Sequence, residues 1–228
     1  MTLDELQQTI AIQFNDTELL KQAFIHRSHL NESKEDKGSN ERLEFLGDAV
    51  LSFITSQYLY ETYPQFPEGT LTNVRSTLVK TKSLGAVAAS LGLGELLMLS
   101  RGEESSGGRS NESLLADCFE ALLGAIFLDR GIEEAKKFLM THLLYKTETI
   151  LTTKSYIDFK SLLQEITQEK TKTSPVYRVV KSEGPDHNKT FWVEVATGDT
   201  VLGSGIGKSK QEAEQQAAQS ALEKRGDI

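Results

Sequence analysis

The chain has 228 residues, 38% of them hydrophobic, with a formal net charge of −8, four prolines and one cysteine. A lone cysteine excludes an intramolecular disulfide and agrees with a reducing compartment, and this length suits one or two domains. Bulk acidity argues against a general nucleic-acid binder, so any recognition of that kind has to come from local placement of charge.

The opening stretch, MTLDELQQTIAIQF, is too polar and acidic for a secretory signal, and no apolar run reaches membrane-spanning length. A cytoplasmic protein without membrane association is the expectation. Short amphipathic helices are expected over 4–12 and 17–24, followed by a solvated loop, NESKEDKGSN. The next stretch, NERLEFLGDAVL, sets Glu41, Glu44 and Asp48 within an arc of roughly 60° at 100° per residue. Leu43, Leu46, Val50 and Ile54 trace a separate apolar stripe, and the absence of proline over 40–63 lets the helix run on through Tyr60. Like charges so spaced cost about 0.2–0.5 kcal/mol per pair. Taken alone, this ridge also reads as a solvated acidic surface or as acids favoured at a helix start.

YPQFPEGT breaks the chain; helical patterns resume in LTNVRSTLV and SLGAVAASLG, and RGEESSGGRSN reads as a flexible loop. SLLADCFEALLGAIFLD is apolar nearly all round, as a core helix would be, yet Asp117 and Glu120 interrupt it, with no Lys or Arg from Ser110 through Asp129. Buried carboxylates need pairing, metal or protonation. Five spaced acids on two core-facing helices fit a hard cation such as Mg²⁺, which takes oxygen ligands. Softer metals fit less well, because the close pair His26 and His29 lacks further Cys or His nearby. Cys118 reads as a small core residue rather than a nucleophile. Gly131 separates this helix from IEEAKKFLMTHLLYKT, the last of the all-α part.

The polar stretch TETILTTKSY reads as a linker, and the charge balance changes there: residues 1–153 carry 14 Lys and Arg against 22 Asp and Glu, and residues 154–228 carry 11 of each. DFKSLLQEITQEK is helical, VYRVVKSEG, TFWVEVATG and TVLGSGIGK alternate as strands, and SKQEAEQQAAQSALEK is a strong helix, giving a small α+β domain of αβββα order. The expected divisions are 1–150, a linker over 151–156, and 157–226. GSGIGKS is not a phosphate-binding P-loop, because Leu202 stands where the first glycine would be, so no nucleotide cofactor is expected. Trp192 sits in an alternating strand, where sheet packing is the simpler reading than base stacking.

NERLEFLGDAVL and SLLADCFEALLGAIFLD resemble the signature and second catalytic segment of bacterial ribonuclease III, and the carboxy-terminal part resembles a double-stranded-RNA-binding domain. The resemblance implies an all-α endonuclease domain, acting as a homodimer, that hydrolyses double-stranded RNA with Mg²⁺, or Mn²⁺ as a substitute. It implies 5′-phosphate and 3′-hydroxyl ends with short 3′ overhangs, and roles in rRNA-precursor and mRNA processing. It assigns Asp48 and Glu120 to catalysis, Glu44, Asp117 and Glu120 to the metal, and Glu41 and Glu68 to supporting positions, although Glu68 also reads as an acid favoured in the first turn after Pro67. In the second domain Ser161, Gln164, Glu165 and Gln168 form a polar helix face similar to the family's minor-groove helix. Pro185, His187 and Asn188 resemble its second groove contact, and Lys208, Ser209 and Lys210 its phosphate contacts at a helix start. A non-catalytic RNA binder and a helical dimerisation scaffold are the alternatives; unpartnered carboxylates near phosphate would burden the first, and the RNA-binding pattern would be idle in the second.

Overall fold

The computed structural model describes residues 1–33 and 38–227, with the side chains of Thr171 and His187 outside the described set. The middle of the solvated loop expected over 31–40 therefore lies outside the described residues. The chain forms two compact units, Met1–Tyr156 and Ile157–Ile228.

The first unit is helical: α1 (Leu3–Thr9), α2 (Thr17–Gln22), α3 (Glu41–Thr62), α4 (Glu68–Val79), α5 (Thr81–Ser90), α6 (Leu93–Leu96), α7 (Arg101–Ser105), α8 (Glu112–His142) and α9 (Thr147–Thr152). Thr2 and Glu5 close a reciprocal capping box on α1. That helix stops earlier than its apolar periodicity predicts, because Ala11 adopts φ 54° and turns Ile12 and Phe14 into the core. Asp16 caps α2 through the amides of Glu18 and Leu19, and both oxygens of Asp129 accept from the amides of Asn15 and Asp16, tying this turn to α8.

α3 and α8 are the centre of the unit. Leu43, Val50, Leu51 and Ile54 of α3 are buried, as are Leu115, Phe119, Leu122 and Ile126 of α8. Their backbones touch. A Cβ added to Gly47 would lie 1.8 Å from the Glu120 carbonyl oxygen, and one added to Gly124 would lie 2.3 Å from that of Leu43. Only glycine permits this approach. Gly131 leaves the helical region, with φ 80° and ψ −178°, so α8 is broken where the sequence predicts a separation. Cys118 is fully buried, its Sγ 3.9 Å from the Ala23 carbonyl oxygen, and burial pushes its thiol pKa up.

Two expectations need correction. RGEESSGGRSN is not a loop throughout: Ser100 caps α7 by accepting from Glu103, and a 3₁₀ turn follows at Gly108–Ser110. Arg109 holds this segment down, donating to the carbonyls of Gly94, Glu95 and Leu97 and pairing with Glu104 at 2.6 Å. Nor is 151–156 simply a tether. Leu151 and Thr152 end α9, and Leu151 and Tyr156 pack on the core of the first unit, which polar composition alone does not reveal.

The second unit runs α10 (Phe159–Thr171), β1 (Val176–Glu183), β2 (Thr190–Thr197), β3 (Thr200–Gly207) and α11 (Lys210–Arg225), with an antiparallel β1-β2-β3 sheet. Tyr177 pairs with Val195 and Val193 with Gly205, and a bulge at Val180 interrupts the first ladder. Phe159, Leu163, Val193, Val195 and the alanines of α11 make the core. Trp192 lies in β2, paired with Lys181, whose ammonium sits 4.9 Å from its ring centroid.

The contact between α3 and α8 predicts unequal tolerance of alanine. Gly47→Ala should lower stability by about 1–3 kcal/mol, the usual cost of overpacking. Gly69→Ala, where an added Cβ meets nothing within 4 Å, should leave stability unchanged or slightly raised. Urea unfolding of both variants checks the difference.

Candidate active site

The close approach of α3 and α8 decides where their acids fall. Glu44 stands one turn before the Gly47 contact, and Asp117 and Glu120 stand on the turn of α8 that meets it. Carboxylate oxygens of Glu44, Asp117 and Glu120 lie within 4.8 Å of one another, and all three residues are half-buried. Asp48, one turn beyond Glu44, is exposed at the edge of the group.

The electrostatics record the crowding. Burial, then the charges of Asp48, Glu44 and Asp117, push the Glu120 carboxyl up to about 8. Burial first, then Asp117, Glu41 and Asp48, raises Glu44. Asp117 is raised by burial against an opposing pull from His26. Among the described residues no Lys or Arg forms an ion pair with Glu44, Asp48, Asp117 or Glu120. Half-buried carboxylates converging without cationic partners favour either a shared proton or a hard cation with oxygen ligands.

The other two predicted acids stand apart. Glu41 is exposed; it accepts from Ser39 Oγ at 2.8 Å and lies 3.7 Å from Arg27, a basic partner that local sequence does not offer. Glu68 is the first residue of α4, accepts from Thr72 Oγ1 at 2.9 Å, and borders a cleft between α3 and α4 with Phe53, Tyr60 and Arg75. His26 is the neighbour that spacing did not connect to the acids. The backbone holds it in place: its amide donates to the Met98 carbonyl, and Asn40 donates to the Ile25 carbonyl, joining the segment to the start of α3. Only the folded chain carries that signal.

In the second unit Ser161, Gln164, Glu165 and Gln168 are all exposed on α10. Asp158 caps this helix by accepting from the Ser161 amide and hydroxyl, and its pKa is lowered, chiefly by a hydrogen bond from Gln215. Gln168 donates to Ser174 Oγ at 3.0 Å. The backbone of His187 belongs to a 3₁₀ turn, Asp186–Asn188, while its side chain is outside the described set. Ser209 caps α11 through the Glu212 amide, and Lys208 and Lys210 flank it, both exposed. Among the described residues no helix is long and apolar enough to cross a membrane.

Comparison with known proteins gives the same division. A family model described as Ribonuclease-III-like matches residues 16–147, and one described as double-stranded RNA binding motif matches residues 159–225. The Ribonuclease 3 of Enterococcus faecalis is 47% identical over 219 residues, covering 96% of this chain and 95% of its own. That of Dehalococcoides mccartyi is 45% identical over 224 residues, covering 98% and 94%. A solved structure of the nuclease domain of ribonuclease III from Campylobacter jejuni matches with a TM-score of 0.59 and 38% identity, over 63% of this chain and 97% of that one. With an all-α unit carrying converged acids followed in sequence by an αβββα unit, the chain belongs to the ribonuclease III family of double-stranded-RNA endoribonucleases.

Proposed function

We propose that Glu44, Asp117 and Glu120 hold Mg²⁺, with Mn²⁺ as a substitute, and that Asp48 and Glu120 carry catalysis in a homodimer that cuts duplex RNA. The convergence of three half-buried carboxylates within 4.8 Å carries the proposal. A bound cation supplies Lewis-acid stabilisation of phosphate charge and lowers the pKa of attacking water. The chain's own groups do the rest. Glu44 and Asp117, from different helices, fix the position of the donor set against the α3–α8 contact. Asp48, open to solvent, accepts a proton from the attacking water on a carboxylate oxygen. With the bond from phosphorus to the 3′ oxygen breaking and that oxygen taking a proton from solvent, hydrolysis leaves 5′-phosphate and 3′-hydroxyl ends, and staggered cuts by two subunits leave short 3′ overhangs, products suited to processing rRNA precursors and mRNA in the cytoplasm.

The face of α3 supports a dimer. Phe45, Phe53 and Tyr60 are 81%, 59% and 75% exposed and fall within an arc of about 80°. Phe53 and Tyr60 line the cleft of about 440 Å³ that Glu68 borders. Large apolar groups gathered on one helix face mark an interaction surface. A two-fold pairing would suit the approximate symmetry of a duplex, and the related Campylobacter jejuni structure concerns a region involved in dimer formation. Glu41 and Glu68 are supporting acids in this reading. Ser161, Gln164, Glu165 and Gln168 would meet one minor groove, and the turn at 185–188 a second. Lys208, Ser209 and Lys210 would face the phosphates between them.

Three outcomes test these assignments. Glu120→Gln should reduce cleavage of a long RNA duplex by ~100-fold or more, the scale for a group acting at the reacting centre, with duplex binding retained; near-normal cleavage in Mg²⁺ would refute the assignment. The pH dependence of folding should carry the same residue's signature. The folded carboxyl, held near 8 against 4.5 for the ordinary group, binds its proton more tightly than the unfolded chain does. The resulting stabilisation is complete below pH 4.5 and lost as pH rises through 8. In chelator, the melting temperature should therefore fall across that range, more steeply for wild type than for Glu120→Gln, and millimolar Mg²⁺ should offset the fall at pH 8. Finally, Phe53→Arg with Tyr60→Arg should convert a sedimenting dimer into a folded monomer with little cleavage; a dimer unchanged at micromolar concentration would remove this face from the interface.

A further inference from the structure

Lys208 has a second task written in its hydrogen bonds. Its Nζ donates to Asn188 Oδ1 at 3.1 Å and to Thr190 Oγ1 at 3.2 Å. Its backbone amide donates to Glu212 Oε2 at 2.6 Å, and the Glu212 amide donates in turn to Ser209 Oγ, the cap of α11. The side chain is therefore fastened to the turn between β1 and β2, and the main chain to the first turn of α11. Within the β turn, the Asn188 amide donates to the Pro185 carbonyl at 2.8 Å, so Asn188 links this tie to the 3₁₀ turn itself. An ammonium has three donors and no acceptor. Two are committed to neutral oxygens, which orient the group without cancelling its charge.

We propose that Lys208 is a positioning residue for duplex RNA, a strut that sets the placement of the 185–190 turn against the start of α11. The proposal rests on the reading above that both elements meet the duplex. Shape recognition of A-form RNA spans two minor grooves and the phosphates between them, so the relative position of two contacting elements matters as much as their chemistry. Lys210 provides the comparison: it is exposed at the start of the same helix, and its ammonium makes no hydrogen bond to the turn among the described residues.

A double-mutant cycle on the full chain, measured as duplex-RNA affinity in chelator, separates a strut from an independent phosphate contact. Lys208→Met keeps the aliphatic stem and removes the donors; Asn188→Ala removes the acceptor. Each should weaken binding, by about 10-fold, and the double variant should be little worse than either, because coupled residues fail to add. Lys210→Ala combined with Asn188→Ala should instead multiply the two losses. Amide hydrogen exchange over 184–190 in the RNA-free protein supplies the independent readout: faster in Lys208→Met, unchanged in Lys210→Ala. Losses that multiply for Lys208 and Asn188, or unchanged exchange in Lys208→Met, would overturn the strut and leave the RNA-binding reading standing. Wild-type affinity in every variant, Lys210→Ala included, would overturn the RNA-binding reading and the strut with it.

Discussion

The contact of two helix backbones at Gly47 and Gly124 governs the first unit. Side chains normally hold packed helices 8–10 Å apart. Here two glycines, one on each helix, let carbonyl oxygens of the partner occupy the space a Cβ would need. Acids one turn away on each helix are drawn together as a result, and the apolar residues around them fill the core on both sides. The fold thus forces like charges together by packing. Neither side can relax without giving up buried surface, which is the main source of stability in a helical unit of this kind.

How far this was legible in the sequence depended on whether a signal was local. Asp117 and Glu120 announced themselves because little else interrupts an apolar helix, and Glu44 because three acids share one face; periodicity set each group on its helix, while their convergence came from the α3–α8 contact and their roles from the family resemblance. The strands of the second unit were equally plain from alternation, but the bulge at Val180 was not, since it depends on how β1 is paired. Ala11 ended α1 through a positive φ that no residue preference predicts for alanine. α7 and α9 were missed because their stability comes from Arg109 and from burial of Thr147 and Ile150 rather than from composition. His26 and Arg27, close in sequence to each other and far from α8, reach the acids' neighbourhood only through the backbone hydrogen bonds of Ile25 and His26.

Charge is distributed to match this division. Nearly all of the net charge, −7 of −8, resides in the unit that gathers carboxylates, while the second unit carries only −1 and places lysines where a helix begins. A summed charge therefore says little about a chain in which one unit gathers half-buried carboxylates and the other, which matches a double-stranded RNA binding motif, exposes polar side chains and ammonium groups. Gln164 and Gln168 sit on an exposed helix face whose inner side, Leu163, is fully buried.

The burial of Cys118 has a practical consequence for following the molecule at work. It is the chain's sole thiol, sealed in the core with its ionisation suppressed, so the thiolate that alkylating reagents require is scarce and out of reach. A cysteine introduced at an exposed position, such as Lys82 on the first unit or Lys224 on the second, would then be the only group a maleimide dye modifies in the folded protein. The native sequence is in this sense already a clean background for fluorescent distance measurements between the two units, with no cysteine to remove beside the acids.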